Sequence, residues 1–383
     1  MLKSFICNNA FAISTTLSHF SFPYPFSHKF LTTTTTSHSF TVSYLINNFN
    51  FSSELALKAS KQVHFNTPNK ADSVINFFTT HGFTDTDIQK IVKREPWLLS
   101  CDTHKRVLPK FQFLLSKGAS PSDIVGIAVG NPRFMKTSLK NRVIPLYNLV
   151  NQFICSDQKT LASIISCPSL LCSDFVDSNI KLLVENGVCN SSIFRILRSR
   201  PSIIFCSPRE LAESVEELKK LGLNPSMSFF GDALLAKRGI SESKWNEKID
   251  TFKKWGWSEE TILEAIRRQP KCMLSSNDKI NRVMEFWVNE LGWDSSYLVK
   301  GPGIFGYGLE KRVIPRAMIV RYLLNKGLRS ESASLLTPFY LSEKLFLERY
   351  VLCFEEEEKS YLLKLYYEMM KVENEKGQKN PES

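Results

Sequence analysis

Histidine runs out early in this 383-residue chain: all six lie at or before His104. That absence removes Ser-His-Asp, Cys-His and His-ligated metal chemistry from most of the molecule. The nine cysteines form no C-x-x-C pair, and their closest spacing is Cys167 to Cys172. Neither a zinc site nor a disulfide framework follows from such spacing, and the thiols fit a reducing compartment. No apolar run approaches the ~20 residues that cross a bilayer. Acidic residues are missing from positions 1–53, and no arginine precedes Arg94.

The acid-free segment is instead rich in Ser, Thr and Phe, with a threonine run from Thr32 to Thr36 and basic Lys3 and Lys29. That composition is typical of organelle transit peptides, although a tail with no address has the same look. The late first arginine counts against a mitochondrial presequence, and the Ser/Thr content also suits a chloroplast. The expected layout is a transit peptide or disordered segment over 1–55, a linker over 56–70, a helical array over 71–353, and a capping helix with a polar tail over 354–383. The formal charge is +11, and residues 71–353 carry 39 Lys/Arg against 29 Asp/Glu. The body of the chain therefore carries the positive field, which suits a polyanionic partner.

A period organises that body. Gly82, Gly118, Gly187, Gly222, Gly256, Gly292 and Gly327 are separated by 36, 69, 35, 34, 36 and 35 residues. The long gap is two units, with Ile154 in the vacant place. Pro96, Pro132, Pro201 and Pro270 each follow their glycine by 14 residues, and Pro168 follows Ile154 by 14. Three units repeat a further motif: KRVLP from Lys105, NRVIP from Asn141 and KRVIP from Lys311. Each landmark has a mechanical reason. Glycine suits the residue after a helix end, where φ is positive. Thr84, Ser120 and Ser258 are placed to cap the next helix. Apolar residues such as Ile262, Ala265 and Ile266 recur at helical spacing. Proline then ends the helix, and a short apolar pair such as Leu98-Leu99 forms a single packed turn. The expected fold is all-α, a superhelical solenoid of about eight ~35-residue units beginning near residues 71, 107, 143, 178, 213, 247, 283 and 316. The units at Ala236 and Pro302 depart from the pattern.

The pattern Leu-Gly-x-Ser-x-x-x-Ile, then Arg-x-Pro and an apolar pair, resembles the mitochondrial transcription termination factor (mTERF) family. RSRPSIIFCSPRELAESVEELKKLGLNP (198–225), WGWSEETILEAIRRQPKCML (255–274) and GYGLEKRVIPRAMIVRYLLNKGL (306–328) carry the resemblance. It implies a superhelix of triangular three-helix units with a basic groove for nucleic acid. It also implies a role in organelle gene expression: transcription termination or initiation, RNA maturation, splicing or ribosome assembly.

A solenoid on a duplex would meet phosphates with cations repeated at one place in each unit. Such a series flanks the prolines: Lys93-Arg94, Arg133 with Lys136, Arg198 with Arg200, Lys237-Arg238, and Arg267-Arg268 with Lys271. Arg312 and Arg316 flank Pro315 in the family-like motif. The competing account is the helix dipole, which favours cations in a last turn without any ligand. Tryptophans could stack on bases, but Trp245, Trp255, Trp257, Trp287 and Trp293 occupy positions where other units have core residues. The expectation is a non-enzymatic, cofactor-free, monomeric protein of the organelle matrix, with the mitochondrion ahead of the chloroplast. It would bind double-stranded DNA and regulate transcription. An RNA-binding role in splicing or rRNA maturation is the alternative, and a protein-binding scaffold the second alternative.

Overall fold

The computed structural model describes residues 35–371, and the chain divides into two compact units at Thr67/Pro68. The proposed presequence at 1–34 lies outside the described residues. The helices Thr35–Phe49 and Ser53–Ser60 pack on each other within the first unit. Their junction is made by Asn50 at φ 51° and by Ser52, whose hydroxyl accepts from the Leu55 N–H. Leu45, Phe49, Phe51 and Ala56 are buried, and Thr41 both donates to and accepts from the Phe65 backbone. Where the sequence reading expects the end of a presequence and a linker, residues 35–67 hold a helical pair with its own core. The apolar spacing that would have shown it is masked by the Ser/Thr content.

The second unit contains no strand among the described residues. It is a stack of helix pairs in two layers. Second helices contact one another in series: Asp85–Arg94 on Pro121–Gly130, that helix on Asp157–Ser166, Asn190–Ser199 on Phe230–Gly239, and Glu259–Arg268 on Ser296–Lys300. First helices form the other layer, as where Val176–Glu185 meets Pro208–Lys220 and Glu242–Lys254 meets Asn277–Met284.

The helix ends explain the period. All seven repeat glycines have positive φ, from 68° to 94°. The residue after the glycine donates back to the start of the last turn, as from Phe83 to Phe78 O, Val188 to Leu183 O and Trp257 to Phe252 O. That 6→1 bond and the burial of Phe83, Val188 and Trp257 define the Schellman end. In the unit without glycine the left-handed residue is Cys155, at φ 55°, one place later than Ile154, where the spacing put it. Thr84, Ser120 and Ser258 cap the second helices as expected, the first two in reciprocal boxes with Asp87 and Asp123. Pro96, Pro168, Pro201, Pro270 and Pro302 each open a 3₁₀ turn that buries an apolar pair, such as Leu98 with Leu99 or Ile203 with Ile204.

Two irregularities have physical causes. In NRVIP and KRVIP the proline cannot donate and its ring crowds the carbonyl four residues earlier. The preceding turn is wide in these two motifs, with Val143 N–H reaching Ser138 O and Val313 N–H reaching Gly308 O, whereas in KRVLP Val107 N–H keeps the ordinary bond to Thr103 O. At Ala236 there is no proline, and the helix Phe230–Gly239 runs on with residues 230–236 all buried. Gly231 permits this: a Cβ there would lie 2.7 Å from Ser192 O.

Polar residues of the first helices tie down otherwise unpartnered carbonyls of the following turn. Asn179 donates to Ile204 O and Cys206 O, Lys248 to Ser275 O, and Arg316 to Pro338 O and Leu341 O. At the C-terminus, Glu356–Lys371 is more than an exposed cap. It buries Leu362 and Tyr366 in a cluster with Ile319, Leu323, Phe346 and Val351.

Candidate nucleic-acid interface

The cations of the proline-flanking series sit at the ends of the stacked second helices and on the turns that follow. Their partners separate them into three groups. Six of the eleven candidates form ion pairs: Arg133 with Asp174, Lys237 with Glu217, Arg267 with Glu260, Arg268 with Glu264, Lys271 with Asp232, and Arg316 with Glu343. Three more are spent on backbone carbonyls. Arg200 donates to Gly239 O, Arg238 to Ile203 O and Glu210 O, and Arg312 to Phe339 O and Leu341 O. Lys136 and Arg198 are exposed and carry no ion pair or hydrogen bond; Arg198 only overlies the Phe194 ring, at 5.7 Å.

Neither a free groove charge nor the cation's own helix dipole accounts for the second group. Helix C-termini leave carbonyls without partners, and here arginines from neighbouring units supply the missing donors. Arg94 donates to Val129 O and Gly130 O at the end of the next second helix. Arg267 donates to Leu221 O at the end of Pro208–Lys220, at 2.8 Å. Arg316 is fully buried, with its guanidinium 4.6 Å from the Phe346 ring centre, and Arg312 lies 4.2 Å from the Tyr307 ring centre. Arg316 is thus withdrawn from the candidate surface, and Arg312 and Arg238 act first as inter-unit clamps. Their acceptors lie 22 to 35 residues away, beyond any local pattern.

Burial decides which ion pairs can open. Asp232 is 6% exposed and lies between Arg195, at 2.9 Å, and Lys271, at 3.2 Å. The Lys271 contact is one of charge, because the Asp232 Oδ1 makes no aligned hydrogen bond. Removing either cation leaves a buried carboxylate underpaired, at a cost of about 3 kcal/mol. Arg133 and Asp174 are 53% and 63% exposed, and such a pair contributes only about 0–1 kcal/mol.

Arg133 and Asp174 lie on a cleft of about 550 Å³, together with Glu95, Lys136, Thr137, Ser138, Arg142 and Cys172. Asn131 ties its walls together by donating to Ser169 Oγ and Cys172 Sγ. Arg142, from the NRVIP motif, holds the opposite loop through Ser173 O and Asp177. Burial pushes the Cys172 thiol up to about 11, so it stays neutral there. A second cleft of about 420 Å³ follows Asn190–Ser199 and is lined by Ser191, Phe194, Arg195, Arg198 and Ser199. The tryptophans belong largely to the core: Trp245, Trp257 and Trp287 are 6%, 5% and 0% exposed. Among the described residues no group of His, Cys, Asp or Glu is arranged to hold a metal, and no helix is long and apolar enough to cross a membrane.

A family model for mTERF matches residues 75–227 and 234–347, well over half of the chain. The chain belongs to the mTERF family. The break in the match, at 228–233, spans the start of the helix Phe230–Gly239. Among curated Arabidopsis thaliana proteins, the chain is similar to "Transcription termination factor MTERF15, mitochondrial", with 21% identity covering 83% of this chain and 86% of that protein. "Transcription termination factor MTEF18, mitochondrial" is 20% identical, covering 72% of this chain and 53% of that protein. "Transcription termination factor MTERF8, chloroplastic" is 19% identical, covering 58% and 45%.

Proposed function

We propose that this mTERF protein is an organellar regulator of gene expression that binds double-stranded DNA as a monomer and acts in transcription termination. The observation that carries the reading is the recurrence of cations at the second-helix ends and proline turns of stacked units, in a body with 39 basic against 29 acidic residues. Spacing by units suits a regular phosphate backbone, where contacts position the protein without reading bases. The named function of the Arabidopsis relatives supports the transcription role. Two of the three relatives are named mitochondrial and one chloroplastic, and the mitochondrion is the compartment proposed here.

Lys136 and Arg198 are the cations to reverse, because neither holds the fold together. The Lys136→Glu, Arg198→Glu double variant is expected to weaken binding to duplex DNA about tenfold, roughly the loss of 1.4 kcal/mol, with an unchanged melting temperature. Unchanged affinity would remove this face from the interface. Parallel titration of RNA and DNA duplexes of one sequence tests the nucleic-acid class, and tighter binding to RNA would transfer the role to RNA processing.

A further inference from the structure

We propose that Asp174 is the displaceable occupant of a phosphate site built by Arg133 and Lys136, so that binding there exchanges a carboxylate for a phosphodiester. The proposal rests on the nucleic-acid reading and adds to it a residue that sets how strongly the surface holds its ligand.

The geometry of the pair suggests a placeholder. Arg133 donates through one nitrogen only, Nη2, to both Asp174 oxygens, at 2.9 and 2.8 Å. Its Nη1 and Nε make no hydrogen bond in this arrangement, so the guanidinium fork is not saturated. A phosphate offers more acceptor oxygens than a carboxylate and matches that fork in two parallel bonds. Lys136 lines the same cleft and carries no partner, leaving a second charge for the same anion.

Asp174 is also mounted so that its carboxylate can leave without disturbing the fold. The loop before it is fixed independently: Arg142 donates to Ser173 O at 2.6 Å, and Asn131 holds Ser169 and Cys172. The Asp174 side chain is 63% exposed and can swing into water while that loop stays in place. Asp232 provides the contrast, since at 6% exposure between two cations it has nowhere to go. Of the two proline-turn cations at the same register, Arg133 therefore has an exchangeable partner and Lys271 a fixed one.

The test is a double-variant cycle on the full chain, read by fluorescence anisotropy with duplex DNA and duplex RNA. Asp174→Asn should tighten binding about threefold to fivefold, the worth of an exposed pair. Arg133→Gln should weaken binding, and the gain from Asp174→Asn should vanish in the Arg133→Gln background. A gain that persists without Arg133 would reduce Asp174 to a general repulsive charge, and an Asp174→Asn protein that binds no tighter would overturn the proposal. A calorimetric titration with inorganic phosphate alone keeps the two readings apart. A wild-type protein that binds neither duplex defeats the functional reading, while the order Asp174→Asn above wild type above Arg133→Gln for phosphate still upholds the site. Equal phosphate binding by all three defeats the site itself.

Discussion

Single cations in this protein do different work according to what surrounds them, and Lys110 is the extreme case. It lies in the helix Leu108–Ser116, is 5% exposed, and donates its ammonium to Arg106 O. Burial first, and the Arg106 charge second, push its pKa from 10.5 down to about 8. A lysine with a lowered folded pKa binds its proton more weakly than the unfolded chain does. Stability attributable to it therefore rises as pH climbs from about 8 towards 10.5. Chemical denaturation at several pH values should find the Lys110→Met variant at its greatest advantage over wild type below pH 8. The advantage should shrink across that window; one that stays constant with pH would mean that the ammonium is not buried in solution.

Helix ends set the architecture at the level of the element, and their cost is separable from packing. Gly256 has φ 83°, and an added Cβ would meet nothing within 4 Å. Gly256→Ala should thus cost only the left-handed backbone strain, about 1–2 kcal/mol, visible as a lower melting temperature. Gly222→Ala should cost more, because its Cβ would also lie 2.9 Å from the Arg267 Nε that caps Leu221 O. Equal losses at the two sites would show that the Arg267 bridge contributes nothing. These ends are also why so much of the fold was legible in the sequence. Glycine with positive φ, a hydroxyl cap and a terminating proline are local demands, each met by few residue types. Cys155 slipped by one position because a left-handed residue other than glycine carries no compositional mark. The pair Thr35–Phe49 and Ser53–Ser60 is not legible in the sequence because its helical spacing is overlaid by Ser and Thr. The roles of Arg267 and Arg316 were not legible at all. Their carbonyl acceptors lie 46 and 22 residues away, so an arginine that clamps a neighbouring unit reads the same as one that faces a ligand.

For the whole molecule, the charge that could reach a partner is smaller than the composition suggests. Much of the proline-flanking series is absorbed by ion pairs and inter-unit bonds, and Lys136, Arg198 and the half-exposed, paired Arg133 and Arg268 form the remaining candidate surface. A nucleic-acid interface built in this way works through backbone phosphates and counterion release rather than base contacts. The decisive measurement is the salt dependence of duplex DNA binding by the full chain. A linear fall of log affinity with log salt is expected, with a slope of about −3 or steeper for three or more neutralised phosphates. A slope near zero between low and moderate salt would contradict it.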